Sequence, residues 1–311
     1  MNNVLLLIDG NALMHRAYHA LPPFKTKAGL PTNAVYGFLS MLHKAMIDFQ
    51  PSHIAVCFDT PVPTFRKKIF KEYQAHRPKL DEELKSQMPL IREALDKAGI
   101  TRLEKPGFEA DDLIGTITYR LNSIESKILI FTGDKDIMQL VSDKVYVIAP
   151  LIGLANVKIY DQHEVIKRFS IKPDQIPDLK GLMGDSSDNY AGAKGIGPKT
   201  AVQLLNQFHD IENLFKNINQ IENPRIKRIL EDHKKNIFLS KQLAQIHKDI
   251  DIDFDFNQTR FSQFKPELKE YLKTLEINSL IKRLFNEKKE IPVKRSSKSE
   301  GKQDQSQIKL F

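Results

Sequence analysis

Acidic residues gather at a few places along this chain that share one local pattern, an apolar run followed by a carboxylate. Asp9 follows residues 4–8, Asp59 follows residues 53–58 and Asp134 follows residues 127–132. Glu109, Asp111 and Asp112 stand together in PGFEADDLIG, where Pro106 and Gly107 end a loop and a helical pattern begins. Asp136 follows Asp134 in TGDKD, and Asp185 and Asp188 lie in GDSSDN. If the apolar runs are parallel strands of one sheet, their carboxyl ends bring these side chains into a single crevice, with the start of the helix facing it. Nine carboxylates in one place would repel one another, and several would stay protonated, unless cations offset the charge. Hard oxygen ligands select Mg²⁺ or Mn²⁺ over zinc. Two such ions suit activation of a water and in-line displacement at a phosphodiester. Asp112 is the weakest member, because its position on the helix faces about 100° from that of Asp111. One acidic residue after a strand is often only a helix cap or a turn residue; it is the joint pattern that argues for a metal centre.

Two further segments suit a polyanion. In GAKGIGPKTAVQLL, Gly195-Ile196-Gly197 separates two helical patterns and Pro198 takes a first helical position, where its missing N–H costs nothing. This is a helix–hairpin–helix signature: Gly195 and Gly197 let the backbone approach a phosphate, and Lys194, Lys199 and Thr200 would strengthen the grip without reading sequence. The plainer reading is a glycine-rich turn between helices. Residues 65–79, FRKKIFKEYQAHRPK, carry six Lys and Arg (Arg66, Lys67, Lys68, Lys71, Arg77, Lys79) against one acidic residue, interleaved with Phe65, Phe70 and Tyr73. Basic groups with aromatic platforms suit single-stranded or frayed nucleic acid, and the segment follows Asp59 closely enough to overhang the carboxylates. A solvated basic helix is the alternative.

The elements that must position these residues alternate. Runs at 4–8, 53–58, 127–132 and 145–149 are the near-continuous apolar segments of strands buried on both faces. Helical patterns at 34–49, 85–98 and 110–122 fill the spaces between, so the spacing predicts an α/β fold with helices on both faces of a mainly parallel sheet over residues 1–172. From 173 to 285 the strand signal fades into short helices. Residues 286–311 are expected to be a disordered tail, since EKKEIPVKRSSKSEGKQDQSQ lacks aromatics and has almost no apolar residues. The net charge of +8 and pI near 9.2 favour a polyanionic partner. No apolar run is long enough for a signal-peptide core or a membrane span. The single Cys57 lies in an apolar run, as expected of a core residue in a reduced, cytoplasmic protein.

Taken together, LLIDGNALMHRAYHALP, TNAVYGF, FRKKIFKEYQAHRP, PGFEADDLIGT, TGDKDIMQLVS and GDSSDN with GIGPKTA resemble the 5′–3′ exonuclease and flap endonuclease family, particularly the amino-terminal nuclease domain of bacterial DNA polymerase I. The resemblance covers residues 1–285. It implies a PIN-like α/β core, a helical arch at about 62–97 that accepts a 5′ single strand, and a helix–hairpin–helix region over 173–285 that grips duplex, with a potassium ion. It implies a two-metal nuclease, with Asp9, Asp59, Glu109 and Asp111 around one ion and Asp134, Asp136, Asp185 and Asp188 nearer the other; Asp112 also matches an acidic motif position. Arg66, Tyr73 and Arg77 match the arch. One position departs: where the family's arch motif has a lysine that helps catalysis, this chain has Gln74, so Lys71 or another neighbour must supply the charge, or cleavage slows. Without polymerase regions, the chain is expected to be a stand-alone nuclease.

The last residues, Gln307-Ile308-Lys309-Leu310-Phe311, resemble the peptide by which bacterial replication and repair proteins dock to the sliding clamp; Gln307, Leu310 and Phe311 would be its anchors. The expected function is cleavage of DNA flaps, nicks or RNA–DNA primer ends in replication and repair, by a monomer. A PIN-like ribonuclease would share the carboxylates but needs neither GIGPKTA nor a basic arch. A non-catalytic DNA-binding or clamp-tethered scaffold would be expected to lack a metal ligand, and none is missing.

Overall fold

The computed structural model describes residues 3–122, 126–151 and 156–285. The predicted tail, with Gln307, Leu310 and Phe311, lies outside them. A six-stranded sheet is built from β1 (Asn3–Asp9), β2 (His53–Phe58), β3 (Thr101–Glu104), β4 (Ser126–Phe131), β5 (Val145–Pro150) and β6 (Val157–Tyr160), in the order β3-β2-β1-β4-β5-β6. All pairings are parallel except β5 with β6. The four apolar runs are four of these strands. The two that the apolar pattern does not mark, β3 (TRLE) and β6 (VKIY), are edge strands half-open to solvent, where polar residues are tolerated.

The chain runs from β1 outward to β2 and β3, then returns to the other side of β1 for β4. That reversal beside β1 is where an open α/β sheet leaves a crevice at its carboxyl edge. The central strand is buried on both faces: Leu5 and Leu7 enter one core, Leu6 and Ile8 the other. On the Leu6 face lie α1 (Gly10–Ala20), α2 (Asn33–Phe49) and α4 (Glu82–Ala98); on the Leu5 face lies α5 (Ala110–Arg120). Gly10 is required where α1 leaves β1, since a Cβ there would lie 2.4 Å from the Phe58 ring.

The region after residue 170 is helical. After α6 (Gln162–Phe169) it comprises α7 (Ile176–Met183), the two-residue strands β7 (Gly184–Asp185) and β8 (Tyr190–Ala191), α8 (Pro198–Phe208), α9 (Ile211–Lys216) and the long α10 (Pro224–Ala244). Ile176, Leu205, Ile211 and Ile237 join the same core as Leu5 and Leu7, so the sheet and the helical region share one hydrophobic interior. The last two helices, α11 (Pro266–Thr274) and α12 (Asn278–Leu284), return to the opposite face, placing Leu268, Leu272 and Ile281 in the core of Leu6 and Ile8. The expected span of 173–285 as one helical unit is therefore corrected at its end: its final helices complete the core of the sheet.

The segment expected as an arch over about 62–97 is also two different things. Its second half, α4, buries Leu84, Gln87, Ile91, Ala94 and Leu95 and belongs to the core. Its first half forms only the short α3 (Phe65–Ile69) and a run of turns to residue 76, and this part overhangs the carboxyl edge of the sheet.

Candidate active site

A cavity of about 810 Å³ opens at the carboxyl edge of β1, β2 and β4, and Asp9, Asp59, Glu109, Asp111, Asp134, Asp136 and Asp188 line it. Each arrives for a local reason. Asp9 ends β1 and caps α1, accepting the Ala12 N–H at 3.0 Å, while its other oxygen accepts the Thr132 hydroxyl at 2.7 Å. The Thr132 Oγ1 in turn accepts the Asp134 N–H at 3.0 Å, so the ends of β1 and β4 are tied together. Asp59 accepts the Ala110 N–H at 2.7 Å, which fixes the start of α5 against the end of β2. Asp134 accepts the Asp136 N–H at 2.8 Å in a tight TGDKD turn.

The electrostatics record the crowding. Burial, with Asp59 and Asp134 nearby, raises the Asp9 carboxyl to about 7. Burial raises Glu109 to about 7, with Asp112 and Asp59 adding to it against the opposing pull of Arg66. Asp136 is raised to about 7 by burial and by Asp134. Asp111 is raised well above the usual range by burial, then by Asp134, Asp9 and Glu109. Burial is the largest cause in each case, and it outweighs Arg66 beside Glu109 and Lys180 beside Asp136. Asp185 shows the reverse: burial pushes it up, but Lys180 and Ser187 outweigh burial and leave it lowered. One oxygen each of Asp136, Asp185 and Asp188 lies within 4.8 Å of the others.

Asp112 is not part of this cavity, which corrects its place among the metal candidates. It is fully buried, and its two oxygens accept Arg66 Nη1 at 2.7 Å, Arg66 Nη2 at 2.9 Å, the His247 N–H at 3.0 Å and the Glu109 N–H at 3.1 Å. Its carboxylate has no lone pair to spare for an ion. Arg66 is corrected with it: 2 % exposed, it donates Nε to Leu243 O at 2.8 Å and Nη2 to Gln245 O at 3.0 Å, and so has no free edge for a DNA phosphate. Tyr73 is also buried. Its ring stacks on Tyr190 with centroids 6.4 Å apart, and its hydroxyl lies 3.2 Å from Asp188 and 3.4 Å from Glu109, so it is no open platform for a base.

Arg77 donates to Asp188 at 2.6 Å and lines the cavity with Lys67 and Gln74. Lys71 and Lys68 are exposed, and Lys71 is not among the described residues lining the cavity. Gln74 is held by its backbone, with φ +56 and its N–H donated to Asp188 O at 2.9 Å. The hairpin lies apart from these groups on the helical region. Gly195 has φ +105, which favours glycine; Pro198 starts α8; and Lys194, Gly195, Gly197 and Lys199 are exposed, with Thr200 half-buried. Sequence reasoning missed Arg16 at the cavity, Thr132 behind Asp9, and Lys180 beside Asp136 and Asp185. No spacing signal marks them, since each is an ordinary residue type whose role comes from packing alone.

Two outcomes follow. Asp112→Ala strands the Arg66 guanidinium without its partner and is expected to cost ~3–5 kcal/mol of stability in chemical denaturation; divalent-ion stoichiometry in the folded variant should stay as in the parent. The raised carboxyls set the second. Each has a folded-state pKa above its unfolded value of 3.8 or 4.5, so its stabilising protonated state is present at low pH and lost as pH rises toward about 7. In EDTA the melting temperature should therefore fall between pH 5 and pH 8, and Mg²⁺ should recover most of the loss at pH 8 and little at pH 5. A flat melting curve in EDTA over that range would contradict the reading.

Residues 4–170 match the 5′–3′ exonuclease N-terminal resolvase-like domain, and residues 171–267 match the 5′–3′ exonuclease C-terminal SAM fold. DNA polymerase I of Bacillus subtilis (strain 168) is 40% identical over 303 residues, covering 97% of this chain and 33% of the polymerase, so the chain spans about a third of that relative's length. The 5′–3′ exonuclease of Aquifex aeolicus (strain VF5) is 40% identical over 283 residues, covering 89% of this chain and 94% of that protein. Among solved structures, T5 5′-exonuclease with bound zinc shares the fold, with a TM-score of 0.64 at 21% identity over 78% of this chain and 89% of that one. So does the catalytic core of Rad2 in complex with a DNA substrate, with a TM-score of 0.57 at 18% identity over 91% of each chain. The mainly parallel sheet is the resolvase-like, PIN-like core of that fold, and the helices after residue 170 are its second part. With both domains matched in order across residues 4–267, and an exonuclease relative matched over nearly its whole length, the chain belongs to the 5′–3′ exonuclease family of nucleases.

Proposed function

We propose that the chain hydrolyses DNA phosphodiesters at 5′ ends, nicks and flaps with two divalent cations, Mg²⁺ or Mn²⁺, and serves primer removal and repair. The observation that carries this is the convergence of seven carboxylates on one cavity without protein cations for all of them. The donor set fits such ions: it is all oxygen, it is crowded, and burial with mutual repulsion raises several of its carboxyls. Asp9, Asp59, Glu109 and Asp111 would hold one ion, and Asp134, Asp136, Asp185 and Asp188 the other. Bound there, the cations supply a nucleophilic water at neutral pH and offset charge on the phosphodiester oxygens.

The rest is work for the chain's own groups. Residues 60–80 overhang the cavity and bring Lys67, Gln74 and Arg77 to its rim, and Lys68 and Lys71 extend the basic surface outward. The exposed hairpin with Lys194, Gly195, Gly197, Lys199 and Thr200 would take a duplex phosphate on backbone amides and a potassium ion with it, positioning DNA without reading its sequence. A monomer suffices for this geometry. The family match and the exonuclease relative support the reading, as does the Rad2 core solved with DNA substrate. RNA–DNA junctions, cytoplasmic location and sliding-clamp docking through Gln307, Leu310 and Phe311 belong to the same proposal.

Cleavage of a 5′-labelled double-flap DNA in Mg²⁺ tests it. Short 5′ products are expected, abolished by EDTA and reduced by about a hundredfold or more in Asp134→Ala. DNA binding without cleavage in either Mg²⁺ or Mn²⁺ would instead support a scaffold. Gln74→Lys should leave the rate between unchanged and about a hundredfold higher, since the backbone at this position is already fixed; a large loss would show that the amide has its own role.

A further inference from the structure

Lys180 stands on the last turn of α7, and its ammonium lies between Asp136 and Asp185, forming an ion pair with an oxygen of each. Those two carboxylates and Asp188 present oxygens within 4.8 Å of one another, a spacing that one cation can span. The ammonium therefore already stands between two of the three. Asp188 has a second protein cation, Arg77 at 2.6 Å, delivered from the overhanging segment. Beside them, the hydroxyl of Tyr190 is 5 % exposed and finds no hydrogen-bond partner among the described residues. A buried hydroxyl left open next to three carboxylates is accounted for by the water shell of an ion.

We propose that Lys180 is a resident placeholder for the second divalent cation: its ammonium holds Asp136 and Asp185 together while the ion is absent and swings out when the ion enters. The proposal rests on the two-cation reading above. The backbone of Lys180 is anchored, because its carbonyl accepts the capping N–H of Gly184 and α7 packs on α10. Its four-carbon stem can still carry the charge several ångströms away by rotamer changes alone. A lysine can occupy the site but cannot match a divalent ion, since it brings one charge and three directional donors against two charges and six or more coordination positions. Displacing it lowers the apparent affinity of the second ion by the share of molecules in which the site is taken. At the first ion's set, Arg66 lies 3.3 Å from Glu109 but is held by Asp112 and by the Leu243 and Gln245 carbonyls, so it is no movable placeholder. Loading should therefore be ordered, with the second ion weaker than the carboxylate count alone implies.

The test uses the whole chain with Ca²⁺ followed by calorimetry and with Mn²⁺ followed by the spectrum of the free ion. Lys180→Met should bind the second ion about tenfold or more tightly and leave the first unchanged, and Lys180→Arg should stay near the parent. In EDTA, Lys180→Met should melt lower than the parent and gain more on adding Ca²⁺. A measurement on the unaltered chain covers the case in which the variant does not fold. Reductive methylation of Lys180 by formaldehyde and a borane, read by mass spectrometry, should be slow in EDTA and faster at saturating Ca²⁺. Two bound ions with Lys180 equally protected in EDTA and Ca²⁺, or a folded Lys180→Met with unchanged or weaker second-ion affinity, would overturn the placeholder alone. A parent chain that binds only one ion would overturn it together with the two-cation reading.

Discussion

Concentrated negative charge at the carboxyl edge of the sheet is the constraint that the rest of this molecule answers to. Bringing eight carboxylates, Asp185 among them, to one edge is unfavourable unless each finds compensation, and the structure provides it unevenly. On the side of the overhanging segment, Asp188 has Arg77 and the Tyr73 hydroxyl, and Asp136 and Asp185 share Lys180. On the side of β1 and β2, Asp9 accepts from the Ala12 N–H and the Thr132 hydroxyl, and Asp59 from the Ala110 N–H. Such donors carry partial charge and offset a carboxylate only in part. Burial and mutual repulsion push up the carboxyls of Asp9, Glu109 and Asp111, and that of Asp136 as well in spite of Lys180, so an added cation suits both sides.

The Arg66–Asp112 pair answers a different need. A buried ion pair contributes little net stability against a hydrophobic substitute, because both partners lose their hydration. Here the pair also completes a joint. Arg66 reaches from α3 to the carbonyls of Leu243 and Gln245 at the end of α10, while the Gln139 side chain takes the carbonyl of Ala244. The last carbonyls of a 21-residue helix are thus capped by side chains from the other part of the molecule, with a cation at the negative end of the helix dipole. Asp112 meanwhile returns to the Glu109 N–H as a capping box at the start of α5. One pair fixes the base of the overhanging segment, the helix that carries Glu109 and Asp111, and the helical region in a single arrangement. Three elements that shape the cavity are thereby tied to one another.

That joint also shows what sequence can and cannot disclose. The parallel strands were legible because burial on both faces demands uninterrupted apolar residues, and the converging aspartates were legible because strand ends share one edge. Asp112 was half-legible: a position about 100° from Asp111 on a helix cannot face the same ion, yet nothing in the sequence says that it faces an arginine instead. Arg66 and Tyr73 were misread because a basic and aromatic segment has the same composition whether its side chains meet DNA or are folded under to brace a carboxylate. β3 and β6 were illegible because edge strands need no apolar run. Lys180 was illegible for a related reason: one lysine among 47 Lys and Arg residues is distinguished only by the two carboxylates that the fold brings to it.

Gln74 stands at the meeting point of these arrangements. Its backbone is in the left-handed region and is tied to the Asp188 carbonyl, and its neighbours are tied as well, Tyr73 and Arg77 through their side chains to the Asp188 carboxylate. The position of residue 74 at the cavity is thus set by everything except its own side chain. A charge can be absent there without disturbing the segment, provided that another cation can take over. Arg77 is placed to do so: it lines the cavity, and an ion held by the Asp188 carboxylate would compete with its guanidinium. If the proposed second cation binds there, Arg77 would be the cation nearest to residue 74 that could take the place of a fixed lysine, and its availability would depend on the metal site being loaded.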